Sequence, residues 1–172
     1  MPFKANFARM KDGRPKRFWI EVGAHAWENL QFSPGFAKSE DDFLISFEPL
    51  LDKYAMLLAR YEGDVTERRP LGFQHKRGLA FPFAVGCETR YTSFTATDYD
   101  MCSTVLPTAD ESSPGFWPPN CLSGAERRTV PCISLRHVLE SWLSGQEVYF
   151  LKIDAQGYDL NVVQSAGPLL RK

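Results

Sequence analysis

The chain has no long apolar run. None of its stretches approaches the roughly 20 residues that a membrane span requires, so no spanning segment is expected. It has no excess of either charge: the formal net charge is −1 over 172 residues. Nothing global in its charge therefore argues for nucleic acid or an anionic membrane as partner. The opening residues, MPFKANFARMKDG, carry no apolar core of a signal peptide, which points to the cytoplasm. Its cysteines, Cys87, Cys102, Cys121 and Cys132, stand in no CxxC or Cys/His pattern, so no metal site is expected. Buried free thiols are the expectation, with two disulfides as the alternative for a secreted protein. The chain also lacks both a GxGxxG turn and a Walker lysine loop. That argues against a ligand whose pyrophosphate is held by backbone N–H groups.

What is present is ordinary for a globular domain: 44% apolar and 24% charged residues, in a length that suits one domain over residues 1–172. Short apolar, β-rich runs predict strands over residues 18–22, 43–47, 79–85, 129–133 and 148–153. The last, VYFLKI, is apolar nearly throughout, the pattern of a strand covered on both faces. Helical periodicity predicts helices over residues 51–61, through Leu51, Tyr54, Ala55, Leu58 and Tyr61, and over residues 135–143, with Ser134 as N-cap. A third helix starts at Asp159, and Gly167 and Pro168 should end it. Strand alternating with helix predicts an α/β, Rossmann-like open sheet, mainly parallel, with helices on both faces. Pro82 lies inside the third expected strand, which places that strand on an edge or at a bulge. Residues 98–128 break the pattern. They are rich in Ser, Pro and Gly yet contain Phe116 and Trp117, as a partly ordered lid or insertion would.

In open α/β sheets, ligands sit beyond the carboxyl ends of the strands. Three expected strands end in acid-bearing turns: Glu21-Val22-Gly23-Ala24-His25, then Glu48-Pro49, then Asp154-Ala155-Gln156-Gly157. Glu21 and Glu48 are 27 residues apart, roughly the spacing between a glycine turn and the acid that holds a ribose diol. A carboxylate suits that task because its two oxygens accept from both hydroxyls at once. Each residue also has a plainer reading. Gly23 could serve the turn alone, Glu48 could be a solvated acid, and Asp154 could cap the next helix. Lys152 is expected to make a local ion pair, and His25 to be packed or exposed rather than catalytic. A ligand with a ribose and no phosphate fits best, and S-adenosylmethionine is such a ligand.

The stretches FWIEVGAH, LISFEPL, LAFPFAVG, VPCISLRHVL and YFLKIDAQGYDLNVVQSAGPLL occur in the order seen in FkbM-type S-adenosylmethionine-dependent methyltransferases. The chain resembles that family over about residues 18–170. The resemblance implies a class I methyltransferase fold and transfer of a methyl group to a hydroxyl oxygen of a small molecule or glycan. It also implies site residues. Glu21, Gly23 and Ala24 would line the methionine side of the cofactor. Glu48 would hold the ribose, Pro49 would shape the turn beside the adenine, and Ala84 and Val85 would lie at the adenine end. Asp154 would sit under the sulfonium and face the acceptor. His25 stands where the family usually has Asn, and Trp27 stands at or near its later glycine.

Methyl transfer from a sulfonium needs alignment and exclusion of water more than activation. A hydroxyl acceptor must lose a proton, for which Asp154 and His25 are the candidates. A nicotinamide-dependent oxidoreductase is disfavoured by the lone glycine. A degenerate or truncated domain that only binds a ligand or partner is the non-enzymatic alternative. The resemblance implies that the strands through Pro82, Phe47, Val22 and Ile153 lie side by side in that order, all parallel. The strand over residues 148–153 would then be an open edge. A missing C-terminal segment or a second copy of the chain is expected to cover it, or else the 129–133 strand folds back onto it.

Overall fold

The computed structural model describes residues 17–25, 30, 41–59, 77–88, 90–99, 102–106, 120–121 and 123–171. Four strands form a parallel sheet: β1 (Arg17–Val22), β2 (Asp42–Phe47), β3 (Gly78–Phe81) and β7 (Val148–Ile153), in the order β3-β2-β1-β7. This is the expected order. Strands β1 and β2 run through the middle and are buried along nearly their whole length.

Each face of the sheet carries helix. One face presents Phe18, Ile20, Val22, Phe43, Ile45 and Phe47, which alternate along β1 and β2 as the pleat requires. Against them pack Leu135, Val138, Trp142 and Leu143. These come from a helical turn, α2 (Leu135–His137), that widens into a π-helical turn over Val138–Trp142. Ser134 caps its start, accepting from the N–H of His137 at 3.1 Å. Helix α3 (Asp159–Ser165) adds Val162 to the same core, and a 3-10 turn (Gly167–Arg171) follows it. The other face buries Trp19, Leu44 and Ala80 against α1 (Leu51–Ala59). The buried residue of α1 is Leu57, with Tyr54 and Leu58 beside it, whereas Leu51 and Ala55 point outward. The apolar stripe is thus rotated from the expected one, because Leu57 faces the sheet.

Three expectations about strands need correction. Residues 79–85 do not form one strand: β3 ends at Phe81, and Pro82 follows it outside any ladder. After this break Ala84–Val85 forms β4, which belongs to a second sheet. A proline N has no hydrogen to donate, so the chain leaves one sheet there and enters another. Strand β6 (Glu126–Ile133) pairs parallel with β4 and antiparallel with β5 (Arg90–Ala96). The expected 129–133 strand is therefore in the second sheet and does not cover β7. Nor is β7 shielded on both faces. Tyr149 and Phe150 are 53% and 44% exposed, and among the described residues β1 is its only strand neighbour. The β1–β7 register slips by one residue after Phe18, and the aromatic rings of Tyr149 and Phe150 both lean on Trp19.

The cysteines are paired rather than free. Cys87 is joined to Cys132, and Cys102 to Cys121. The first pair links the chain just beyond β4 to β6. The second joins the two described flanks of the irregular segment, where Asp98 and Ser123 also meet through the Asp98 N–H and the Ser123 hydroxyl. Residues 107–119, including Phe116 and Trp117, lie outside the described residues, as does Trp27.

Candidate functional site

A cavity of about 330 Å³ opens at the carboxyl ends of β1, β2 and β7, where the chain crosses to the second sheet. Its size suits a small cofactor. Three turns and part of the second sheet build it.

The first turn follows β1. Gly23 adopts φ 74, and a Cβ added there would collide with the backbone carbonyl of Asp154. The glycine is thus required by the close approach of β7, whatever binds above it. The N–H groups of Gly23 and Ala24 both donate to the Phe47 carbonyl at 3.0 Å, which bends the turn over β2. His25 takes a left-handed φ of 48 and lines the cavity. His tolerates that region better than most residues. Ala24 is fully buried among Trp19, Leu44, Leu57 and Ala80 and does not belong to the cavity wall.

The second turn follows β2. Glu48 is only 5% exposed, yet it lines the cavity with Pro49 and Leu50. One of its oxygens accepts from the His25 N–H and the other from the Leu50 N–H, each at 2.9 Å. Burial raises its pKa, and those two hydrogen bonds pull the other way. An ionised carboxylate has about four lone-pair sites, so two remain for a ligand.

The third turn follows β7. The Asp154 N–H continues the ladder by donating to the Val22 carbonyl at 3.0 Å, and the side chain of Asp154 accepts from the Gln156 amide at 2.9 Å. Asp154, Ala155 and Gln156 all line the cavity. Asp154 does not cap α3. Asp159 organises this turn instead, its carboxylate accepting from the N–H groups of Ala155 (3.2 Å) and Gly157 (3.1 Å).

The remaining wall is apolar. It is built from Phe83, Ala84, Val85, Phe94 of β5, and Val105, with Ser103 among them. The Thr104 hydroxyl holds the segment over residues 102–106 to the third turn by donating to the Gln156 carbonyl at 2.9 Å. Of the residues singled out in the sequence, Gly23, His25, Glu48, Pro49, Ala84, Val85 and Asp154 come together around the cavity. Glu21 and Ala24 do not touch it. The sequence reading did not assign Val22, Leu50, Phe83, Phe94, Ser103, Val105, Ala155 and Gln156 to the site. Val22, Leu50, Phe83, Ala155 and Gln156 carried a signal, their places inside the FWIEVGAH, LISFEPL, LAFPFAVG and KIDAQGYD motifs.

Glu21 lies behind the turn, fully buried. It accepts from the Leu30 N–H (2.8 Å), the Ser46 hydroxyl (3.0 Å) and the Lys152 ammonium (3.3 Å). Lys152 thus makes an ion pair, with a partner 131 residues away along the chain rather than the local one expected. Desolvation raises the Glu21 pKa to about 7 against the pull of the lysine and the hydrogen bonds.

The parallel sheet and the helices on its two faces define a Rossmann-like α/β domain, with a cavity beyond its strand ends. The chain belongs to the FkbM methyltransferase family, whose Methyltransferase FkbM domain matches residues 21–172. It is a methyltransferase at the level of that family. No curated protein and no solved structure matches the chain.

Proposed function

We propose that the cavity binds S-adenosylmethionine and that the domain methylates a hydroxyl oxygen of a small molecule or glycan. The observation that carries this reading is the pairing of a buried carboxylate, Glu48, with an adjoining apolar wall of Leu50, Phe83, Ala84 and Val85. A carboxylate with spare lone pairs suits a ribose diol, and the apolar wall suits a flat, weakly polar base. Asp154 and Glu48 make the site acidic, which favours a cationic ligand. When bound, the sulfonium supplies an already activated methyl group. The chain's part is to orient the acceptor, exclude water and take the acceptor's proton. Asp154 and His25, which line the cavity, are the candidates to take it.

Where the protein acts is also part of this reading. Among the described residues no helix is long and apolar enough to cross a membrane. Two disulfides in one domain favour an oxidising compartment over the cytoplasm.

Calorimetry tests the function. S-adenosylmethionine and S-adenosylhomocysteine should bind and NAD should not. Binding of NAD alone would favour an oxidoreductase, and binding of none of the three would favour a non-catalytic module. Glu48→Ala should weaken S-adenosylhomocysteine binding by about 1.5–3 kcal/mol, the range for hydrogen bonds involving a charged group. Unchanged affinity in a folded variant would remove Glu48 from the site.

A further inference from the structure

Glu21, Ser46 and Lys152 are register partners across three adjacent strands, with β2 and β7 on either side of β1. Their side chains form one row on the face of the sheet that packs α1. Val22, the next residue along β1, points to the opposite face and lines the cavity. Two of the three hydrogen bonds to Glu21 therefore follow from the register alone. The third comes from outside the sheet, from the Leu30 N–H, nine residues further along the chain.

That third bond matters for the glycine turn. The chain leaves β1 at Val22, passes through the left-handed Gly23 and His25, and is held again at Leu30. Two buried carboxylates thus fix it at two points: Glu48 at the His25 N–H and Glu21 at the Leu30 N–H. A buried ion pair is a poor stabiliser, since apolar side chains of similar volume usually do as well. The Ser-Glu-Lys row gains something that an apolar row could not supply: an acceptor for a backbone N–H beyond the turn.

We propose that Glu21 is a positioning residue that pins the chain at Leu30 and so holds the glycine turn in its binding shape without touching the ligand. This rests on the reading of the cavity as the cofactor site, and it changes the role that the family resemblance gives to Glu21.

Amide hydrogen exchange on the ligand-free protein tests the pin directly. In Glu21→Ala the Leu30 amide should lose protection by about tenfold or more, while Ile20 and Ile45 in the sheet keep theirs. Should Glu21→Ala fail to fold because Lys152 loses the Glu21 carboxylate, the double variant Glu21→Leu with Lys152→Met removes both charges and should show the same pattern. Glu21→Gln keeps an acceptor oxygen and should restore most of the Leu30 protection. In the second arm, S-adenosylhomocysteine affinity should fall about tenfold in the double variant and recover in Glu21→Gln. Retained protection at Leu30 in the double variant overturns the proposal, as does lost protection with unchanged affinity. If the wild type binds no S-adenosylhomocysteine, the cofactor reading fails, and the exchange arm still decides whether Glu21 pins the turn.

Discussion

At Gly23 the chain has no room for a side chain, because the Asp154 carbonyl lies where a Cβ would be. Gly23→Ala would add a left-handed alanine, which costs about 1–2 kcal/mol, and would also push β1 and β7 apart at the cavity floor. We expect a stability loss of roughly 2 kcal/mol or more by urea denaturation, with S-adenosylhomocysteine affinity falling alongside it. A variant as stable as the wild type would mean that the turn can relax. The glycine was legible in the sequence as a turn residue. The reason for it was not, since Asp154 lies 131 residues away along the chain. The same holds for Asp159: it stands in one motif with Asp154, and only the geometry assigns it the bonds that hold the turn.

At the scale of elements, the second sheet supplies what the sequence kept hidden. Strand β4 has two residues, too few for any periodicity, and β5 (RYTSFTA) mixes hydroxyls with aromatics in a stretch without clean alternation. Both depend on β6, and Cys87–Cys132 fastens β6 to the chain just beyond β4. The two disulfides close loops of 45 and 19 residues. Such closures stabilise by about 4 and about 3 kcal/mol in the chain-entropy account. Protein purified without reductant and alkylated in denaturant should therefore carry no thiol adduct, and reduction should lower the unfolding midpoint. Alkylation of all the cysteines without reductant would refute the pairing. Because Ala84, Val85 and Phe94 of this sheet form the apolar cavity wall, ligand affinity should fall on reduction even where the parallel sheet persists.

For the whole molecule, the buried carboxylates Glu21 and Glu48 contribute to the response to pH. The Glu21 pKa is raised from 4.5 to about 7 in the folded state, chiefly by desolvation. Between these values the folded state holds a proton that the unfolded chain has released, so stability falls as pH rises. The contribution is fully present below about pH 4.5 and is lost as pH rises through about 7, a change of roughly 3 kcal/mol. Glu48 is shifted in the same direction and adds to the same slope. Urea midpoints measured from pH 5 to 7.5 should decline in the wild type, and Glu21→Gln should flatten the decline. An unchanged slope in that variant would assign it to other groups. The sheet edge is a second molecular-scale feature. β7 exposes Tyr149 and Phe150 there, and its outer side meets no strand among the described residues.

The sequence by itself determined the parallel sheet, its strand order through the family resemblance, the helices on its two faces and the cavity-lining turns at Gly23, Glu48 and Asp154. These are encoded locally, in runs of β-branched and aromatic residues, in helical spacing and caps, and in motifs of a few residues. Tertiary structure decided the rest. It split the Pro82 segment between two sheets, paired the cysteines, recruited Phe83, Phe94 and Val105 to the cavity and turned Glu21 away from it toward Leu30. Each of these outcomes depends on which distant segment comes into contact. A strand's pleat fixes which neighbours share a face, but only the assembled fold fixes what that face meets.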